Sequence, residues 1–120
     1  MLLNFWASWC GTCRSEKKGL EKLYQDFKGQ NLEVLALAAD DDWNAIKGAM
    51  PDGSPLKIYL DPPQSEDRLG AVGKLFGVTG VPETFLINPN GQVVAQVVSR
   101  RDWSSDVMKT CLRSKISSGK

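Results

Sequence analysis

The sequence predicts an α/β domain: one mixed sheet with helices on both faces. Three observations carry this prediction. Apolar runs suited to buried strands alternate with segments whose apolar residues recur at helical spacing. The first two strands, residues 1–6 and 32–39, flank one helical segment, 10–28, and such a crossover requires them to be parallel. The last two strands, 84–88 and 92–98, are joined by Asn88-Pro89-Asn90-Gly91, a turn signal that folds them back as an antiparallel hairpin.

Each element has its own justification. Residues 1–6 form an apolar run suited to burial on both faces, which makes this strand the central one; Asn4 interrupts it as an amide satisfied by neighbouring groups beneath the following turn. In the first helix Leu20, Leu23, Tyr24 and Phe27 recur at i, i+3, i+4 and i+7 and define a buried face, and Gly29 is its stop. After the second strand, Asp40-Asp41-Asp42 reads as a solvated N-cap for a short helix, 43–50, with Trp43, Ile46 and Met50 inward. Three consecutive carboxylates point apart, so the cap explains them better than a metal site does. Lys57-Ile58-Tyr59-Leu60 is a short strand along the outer edge of the second. Ser65 caps a helix over residues 66–76 with Leu69, Val72, Leu75 and Phe76 as its stripe, ended by Gly77. A last helix, 103–116, puts Trp103, Val107 and Cys111 on one side, with Cys111 in the core, and residues 117–120 form a frayed tail.

Bulk properties narrow the function. The 120 residues suit a single domain, 1–120, and the 42% apolar and 24% charged fractions are ordinary for a globular chain. A net charge of +1 points to neither nucleic acid nor an anionic membrane surface. No stretch approaches the ~20 apolar residues of a membrane helix. Met1 falls directly into a strand, so the N-terminus reads as trimmed, and no leader is legible. With three cysteines and no histidine, the chain is no disulfide scaffold and lacks Cys–His catalysis and most zinc sites.

The chemistry concentrates in Phe5-Trp6-Ala7-Ser8-Trp9-Cys10-Gly11-Thr12-Cys13. Two cysteines three residues apart stand where the first strand gives way to the first helix, so the sulfurs share a helix face and can meet. The first helical turn leaves N–H groups unpaired and carries partial positive charge, which favours thiolate at Cys10. The chemistry on offer is reversible dithiol–disulfide exchange; a static structural disulfide is the alternative.

Trp9-Cys10-Gly11-Thr12-Cys13 after an apolar strand, and Gly80-Val81-Pro82-Glu83-Thr84-Phe85-Leu86-Ile87 before a hairpin, resemble the thioredoxin superfamily. Asn4-Phe5-Trp6-Ala7-Ser8-Trp9-Cys10, then Arg14 and Glu16, and the insertion before the Val-Pro loop, resemble its TlpA/ResA branch of thiol-disulfide oxidoreductases. The resemblance implies a thioredoxin-like fold and a redox-active disulfide with no other cofactor and no metal. It implies Cys10 as attacking nucleophile and Cys13 as the residue that resolves the mixed disulfide. It also implies that Gly11 and Thr12 help set the potential, and that Trp9 shields the sulfurs and offers an apolar surface. Pro82 is expected to follow a cis peptide bond, presenting the Val81 backbone to an extended substrate, where an ordinary trans turn proline is the alternative. Glu16 is expected near the site, as a group that tunes a cysteine or relays a proton, or else as a solvated partner of Arg14 or Lys17. Many relatives have a proline where this chain has Lys17-Lys18, and the surface there is expected to be more basic.

The partners implied are protein disulfide or dithiol substrates and an upstream thiol electron donor, met by a monomer. The compartment implied is periplasmic or otherwise extracytoplasmic, with the cytoplasm as the alternative, and the role a reductant serving cytochrome c maturation. The competing function is an assembly module that uses the dithiol to hold a metal or client, as in copper delivery. A peroxidase is a third, weakened because Cys10 sits in a CxxC instead of standing alone.

Overall fold

A computed structural model of the chain describes residues 1–27, 32–99 and 101–118. Along the chain run β1 (Leu2–Trp6), α1 (Gly11–Asp26), β2 (Val34–Ala38), α2 (Trp43–Ala49), β3 (Lys57–Leu60), α3 (Ala71–Leu75), β4 (Glu83–Ile87), β5 (Val93–Val98) and α4 (Asp106–Ser118). The sheet order is β3-β2-β1-β4-β5. β1 lies in the middle, parallel to β2 and antiparallel to β4, and all five of its residues are buried, which is why its sequence is apolar on both faces. β3 pairs parallel to the outer edge of β2, and β4 and β5 form the hairpin.

Strand alternation divides the core. Leu2, Val34 and Leu86 pack with Leu20, Leu23 and Phe27 of α1 and its end, and with Trp103 and Leu112. Leu3, Phe5, Phe85 and Ile87 pack with Leu69, Val78 and the partly buried Phe76. On that second face the rings of Phe5, Phe76 and Phe85 meet pairwise at 5.2 to 5.8 Å between centroids, the range in which tilted and edge-to-face aromatic pairs are favourable.

Several expectations need correcting. Asp42 alone caps α2, accepting from the N–H groups of Asn44 and Ala45. Ile46 is buried, but Trp43 is 44% exposed, because a helix of this length places only one residue squarely against the sheet. The helix expected over 66–76 is only α3. Arg68 has φ 63°, which interrupts a helix there, and Ser65 donates to Asp67 instead of capping. The cap comes from outside the segment: the Asp61 carboxylate accepts from Val72 and Gly73 at 3.1 and 3.0 Å. Leu75, expected in the apolar stripe, is exposed. α4 starts at Asp106, with Trp103 buried before it; Leu112 and the half-buried Met108 form its inner side, while Val107 and Cys111 are exposed. Cys111 is therefore not core. α4 runs on to Ser118, and the rest of the expected tail, Gly119 and Lys120, lies outside the described residues, as does Gly29, the expected stop of α1.

The remote cap crowds Gly70 and leaves Gly48 untouched. A Cβ at Gly70 would overlap the carboxyl carbon and backbone carbonyl of Asp61, whereas one at Gly48, inside α2, meets nothing within 4 Å. Gly70→Ala is expected to lower stability by about 1–3 kcal/mol through overpacking, and Gly48→Ala to raise it by about 0.5–1 kcal/mol through reduced chain entropy. Denaturant melts of the two variants beside the parent check both signs.

Candidate active site

β1 ends in the middle of the sheet, and its last carbonyl, that of Trp6, accepts from Ala39 N–H at 2.8 Å. The chain then turns through Ala7, Ser8 and Trp9 into α1. Cys10 is the N-cap residue, in extended conformation, and its sulfur accepts the Cys13 N–H at 3.2 Å. Cys10 and Cys13 are joined as a disulfide, with Cα atoms 5.2 Å apart. Cys10 is the more accessible sulfur residue, 8% exposed against 0% for Cys13. The Thr12 hydroxyl lies 3.3 Å from Cys10 Sγ, and Gly11 is exposed beside it.

The Val81–Pro82 peptide bond is cis, and the Val81 carbonyl oxygen stands 3.7 Å from Cys10 Sγ. The structure thus brings Cys10, Cys13, Val81 and Pro82 together. Trp9 flanks them, 46% exposed, its indole N–H donating to Ala39 at 3.1 Å and its ring facing the Arg68 guanidinium at 5.3 Å. Trp6, by contrast, is wholly buried.

Two buried carboxylates hold the loops of the site. Asp40 was expected to be solvated; it is 3% exposed and accepts from Ser8 N–H at 3.0 Å and from the Ser8 hydroxyl. Glu83 accepts from Thr79 N–H at 3.3 Å and from the Gln96 amide, which fixes the loop carrying Val81 and Pro82.

Beneath the sulfurs lies a buried polar cluster. Asn4 donates to Thr84 Oγ1 at 2.8 Å and to Glu16 Oε1 at 3.3 Å, and accepts from Lys17 Nζ. The other Glu16 oxygen accepts from Arg101 N–H at 2.9 Å. Glu16 is 2% exposed, so it belongs to the interior beside the site and is no solvated helix residue. Lys17 is also buried, its ammonium 4.4 Å from the centre of the Trp6 ring; of the expected basic pair only Lys18 faces water. Burial pushes the Lys17 pKa down to about 7, with Glu16 and Glu21 opposing that shift. Sequence reasoning missed the burial of Lys17 and Asp40. For Lys17 a signal existed: Cys13, Glu16, Lys17 and Leu20 fall at i, i+3, i+4 and i+7, which continues the buried stripe of α1 towards its start.

Known proteins agree with this geometry. The model of the AhpC/TSA family matches residues 1–96. The chain belongs to the AhpC/TSA family. Among curated proteins similar to this AhpC/TSA chain, the thiol-disulfide oxidoreductase ResA of Bacillus subtilis is 35% identical over 98 residues, covering 81% of this chain and 51% of ResA. The thiol:disulfide interchange protein DsbE of Escherichia coli is 39% identical over 92 residues, covering 76% of this chain and 45% of DsbE. The chain spans about half the length of the curated relatives it matches. Among solved structures, one described as a thiol:disulfide interchange protein DsbE from Chlorobium tepidum superposes with a TM-score of 0.78 at 28% identity, over 98% of this chain and 77% of that one. The thioredoxin-like fold and the ResA-like resemblance read from the motifs are those of these relatives. Among the described residues no group of three or more His, Cys, Asp or Glu side chains could hold a metal ion.

Lys17 gives a pH test of the cluster. Between about 7, its folded value, and 10.5, its ordinary one, the unfolded chain holds a proton that the native chain lacks, so native stability rises with pH across that window. Below it the full penalty of burying an ammonium is present. Lys17→Met is expected to lack this rise. The stability of the parent relative to the variant, measured by denaturant melts of the oxidised proteins, should increase from neutral to alkaline pH.

Proposed function

We propose that this chain is a thiol–disulfide oxidoreductase that exchanges the Cys10–Cys13 couple with protein substrates. The observation that carries the reading is the sulfur pair at the start of α1, with the more accessible cysteine, Cys10, 3.7 Å from the Val81 carbonyl oxygen. In the reduced chain, the Cys10 thiolate attacks one sulfur of a client disulfide; that S–S bond breaks, and the other client sulfur leaves as a thiolate and takes a proton from water. Cys13, having lost its proton, then attacks Cys10 Sγ. The mixed disulfide breaks, the second client sulfur leaves and is protonated, and two electrons have passed from the chain to the client. An upstream dithiol reverses the process and restores the chain.

The site supplies three aids. The N–H of Cys13 stabilises negative charge on Cys10. The Val81 backbone offers a hydrogen-bonding edge to an extended client segment. Trp9 and a groove of about 790 Å³ beside it, lined in part by Asp40 and Arg68, give the client a surface to rest on. The TlpA/ResA resemblance supports a reductant working outside the cytoplasm, in the service of cytochrome c maturation. No helix among the described residues is long and apolar enough to cross a membrane.

The test is insulin reduction with dithiothreitol as donor. The parent should accelerate precipitation of the insulin B chain, Cys10→Ser should fall to the uncatalysed rate, and reduced Cys13→Ser, freed of dithiothreitol and mixed with insulin, should accumulate a mixed disulfide through Cys10. Equal activity in parent and Cys10→Ser would overturn the reading.

A further inference from the structure

The redox step needs a thiolate at Cys13, which is fully buried and for which burial alone would favour the neutral thiol. Lys17 stands one helical turn further on. Residues at i and i+4 lie on one face with Cβ atoms about 5–6 Å apart, and helical side chains lean towards the N-terminus, so the long Lys17 side chain runs back over the turn that holds Cys13. Cys13 belongs to the same buried cluster as Trp6, and the Lys17 ammonium lies 4.4 Å from the centre of the Trp6 ring. Asn4 Oδ1 holds the ammonium in place.

Lys17 and Trp6 also line a cleft of about 190 Å³ between the start of α1 and the loop after α2. The charged groups around it are Arg14, Lys18 and Glu21 of α1 and Asp52 of the loop, which line the same cleft, and Glu16 within the buried cluster. β1 and β4 contribute only neutral Asn4, Trp6 and Thr84. Lys17 is therefore the buried cation on the face of α1 that carries Cys13.

We propose that Lys17 is a positioning residue for the second half of the exchange: its ammonium stabilises the Cys13 thiolate that attacks Cys10, so that step depends on Lys17 being protonated. This rests on the oxidoreductase reading above. The Cys13 thiol gives its proton to water, the thiolate forms the new S–S bond with Cys10 as the client sulfur leaves, and Lys17 keeps its own proton throughout. In the oxidised chain, where Cys13 is neutral, Lys17 titrates at about 7. A thiolate beside it draws that titration upward, and by the same coupling the ammonium draws the Cys13 titration downward.

The test uses chains carrying Cys10→Ser and Cys111→Ser, in which Cys13 is the remaining thiol. Its titration is followed by thiolate absorbance with Lys17, with Lys17→Met and with Lys17→Arg. Lys17→Met is expected to raise the Cys13 pKa by about one unit or more, and so to cut the thiolate fraction about tenfold at neutral pH; Lys17→Arg should keep it low. Should Lys17→Met fail to fold, side-chain NMR of Lys17 decides. Its midpoint should lie higher in the Cys10→Ser, Cys111→Ser chain than in the oxidised parent. Equal Cys13 values with Lys and Met, or equal Lys17 midpoints in the two redox forms, overturn the proposal. Neither measurement needs turnover, so insulin reduction failing in the parent would sink the oxidoreductase reading separately.

Discussion

The bond from the Cys13 N–H to the sulfur of Cys10 ties the fold to its chemistry. A strand buried on both faces has to leave the sheet through a turn, and the helix that follows begins with unpaired N–H groups. Most helices satisfy one of these with the oxygen of Ser, Thr, Asp or Asn. Here a sulfur does it, and a disulfide sulfur is a weak acceptor. A thiolate is a far better one, since charged acceptors form bonds roughly twice as strong as neutral ones. The start of α1 is thus better satisfied when Cys10 is reduced and ionised than when it is bonded to Cys13. The helix macrodipole adds in the same direction.

The polar cluster under the sulfurs follows from the chemistry of one amide. Asn4 sits in the central strand, where an unsatisfied polar group would cost several kcal/mol (roughly 1–3 by mutational measures). Its amide nitrogen has two donors and its oxygen only accepts. The partners match: the carboxylate of Glu16 and the hydroxyl of Thr84 face the nitrogen, and the ammonium of Lys17 faces the oxygen. One anion and one cation are therefore joined through an amide, and β1, α1 and β4 are locked in a single arrangement. The second oxygen of Glu16 carries the lock on to the backbone of Arg101. A titrating group in the place of Asn4 would make the interior charge depend on pH at this point; an amide leaves that dependence to Lys17.

What the sequence made legible was what periodicity and turn chemistry encode locally. The apolar run of β1, the crossover to β2 and the Asn90-Gly91 turn each state their own geometry, and Gly91 does adopt φ 83°. The pairing of the sulfurs was legible from spacing, and the Val81–Pro82 loop from resemblance. What stayed hidden depends on partners distant in the chain. Ser65 carries a good local capping signature, yet α3 starts later because Asp61 supplies a better acceptor from the end of β3. Asp40 looked like one of three surface carboxylates until the turn after β1 came to rest against it. Cys111 and Val107 share a side of α4 that faces outward, because Leu112 and Met108 offer the sheet a better apolar pair.

Those hidden residues share one physical role. β1, β2 and β3 run parallel, so their C-terminal ends lie on one rim, and β4 begins on the same rim because Glu83 pairs with Phe5. Loops there bury a few apolar side chains, Leu69 and Val78 among them, and need polar anchors as well. Each is held by a buried carboxylate at a strand end accepting backbone N–H groups: Asp40 holds Ser8, Asp61 holds Val72 and Gly73, and Glu83 holds Thr79. Hydrogen bonds to a charged group contribute about 1.5–3 kcal/mol each, a large share of the ~5–15 kcal/mol that keeps a domain folded. None of these bonds involves either sulfur. The frame that holds Val81 near Cys10 and launches α1 therefore rests on bonds separate from the Cys10–Cys13 bond, whose nearest hydrogen-bonded neighbour is the cap of α1.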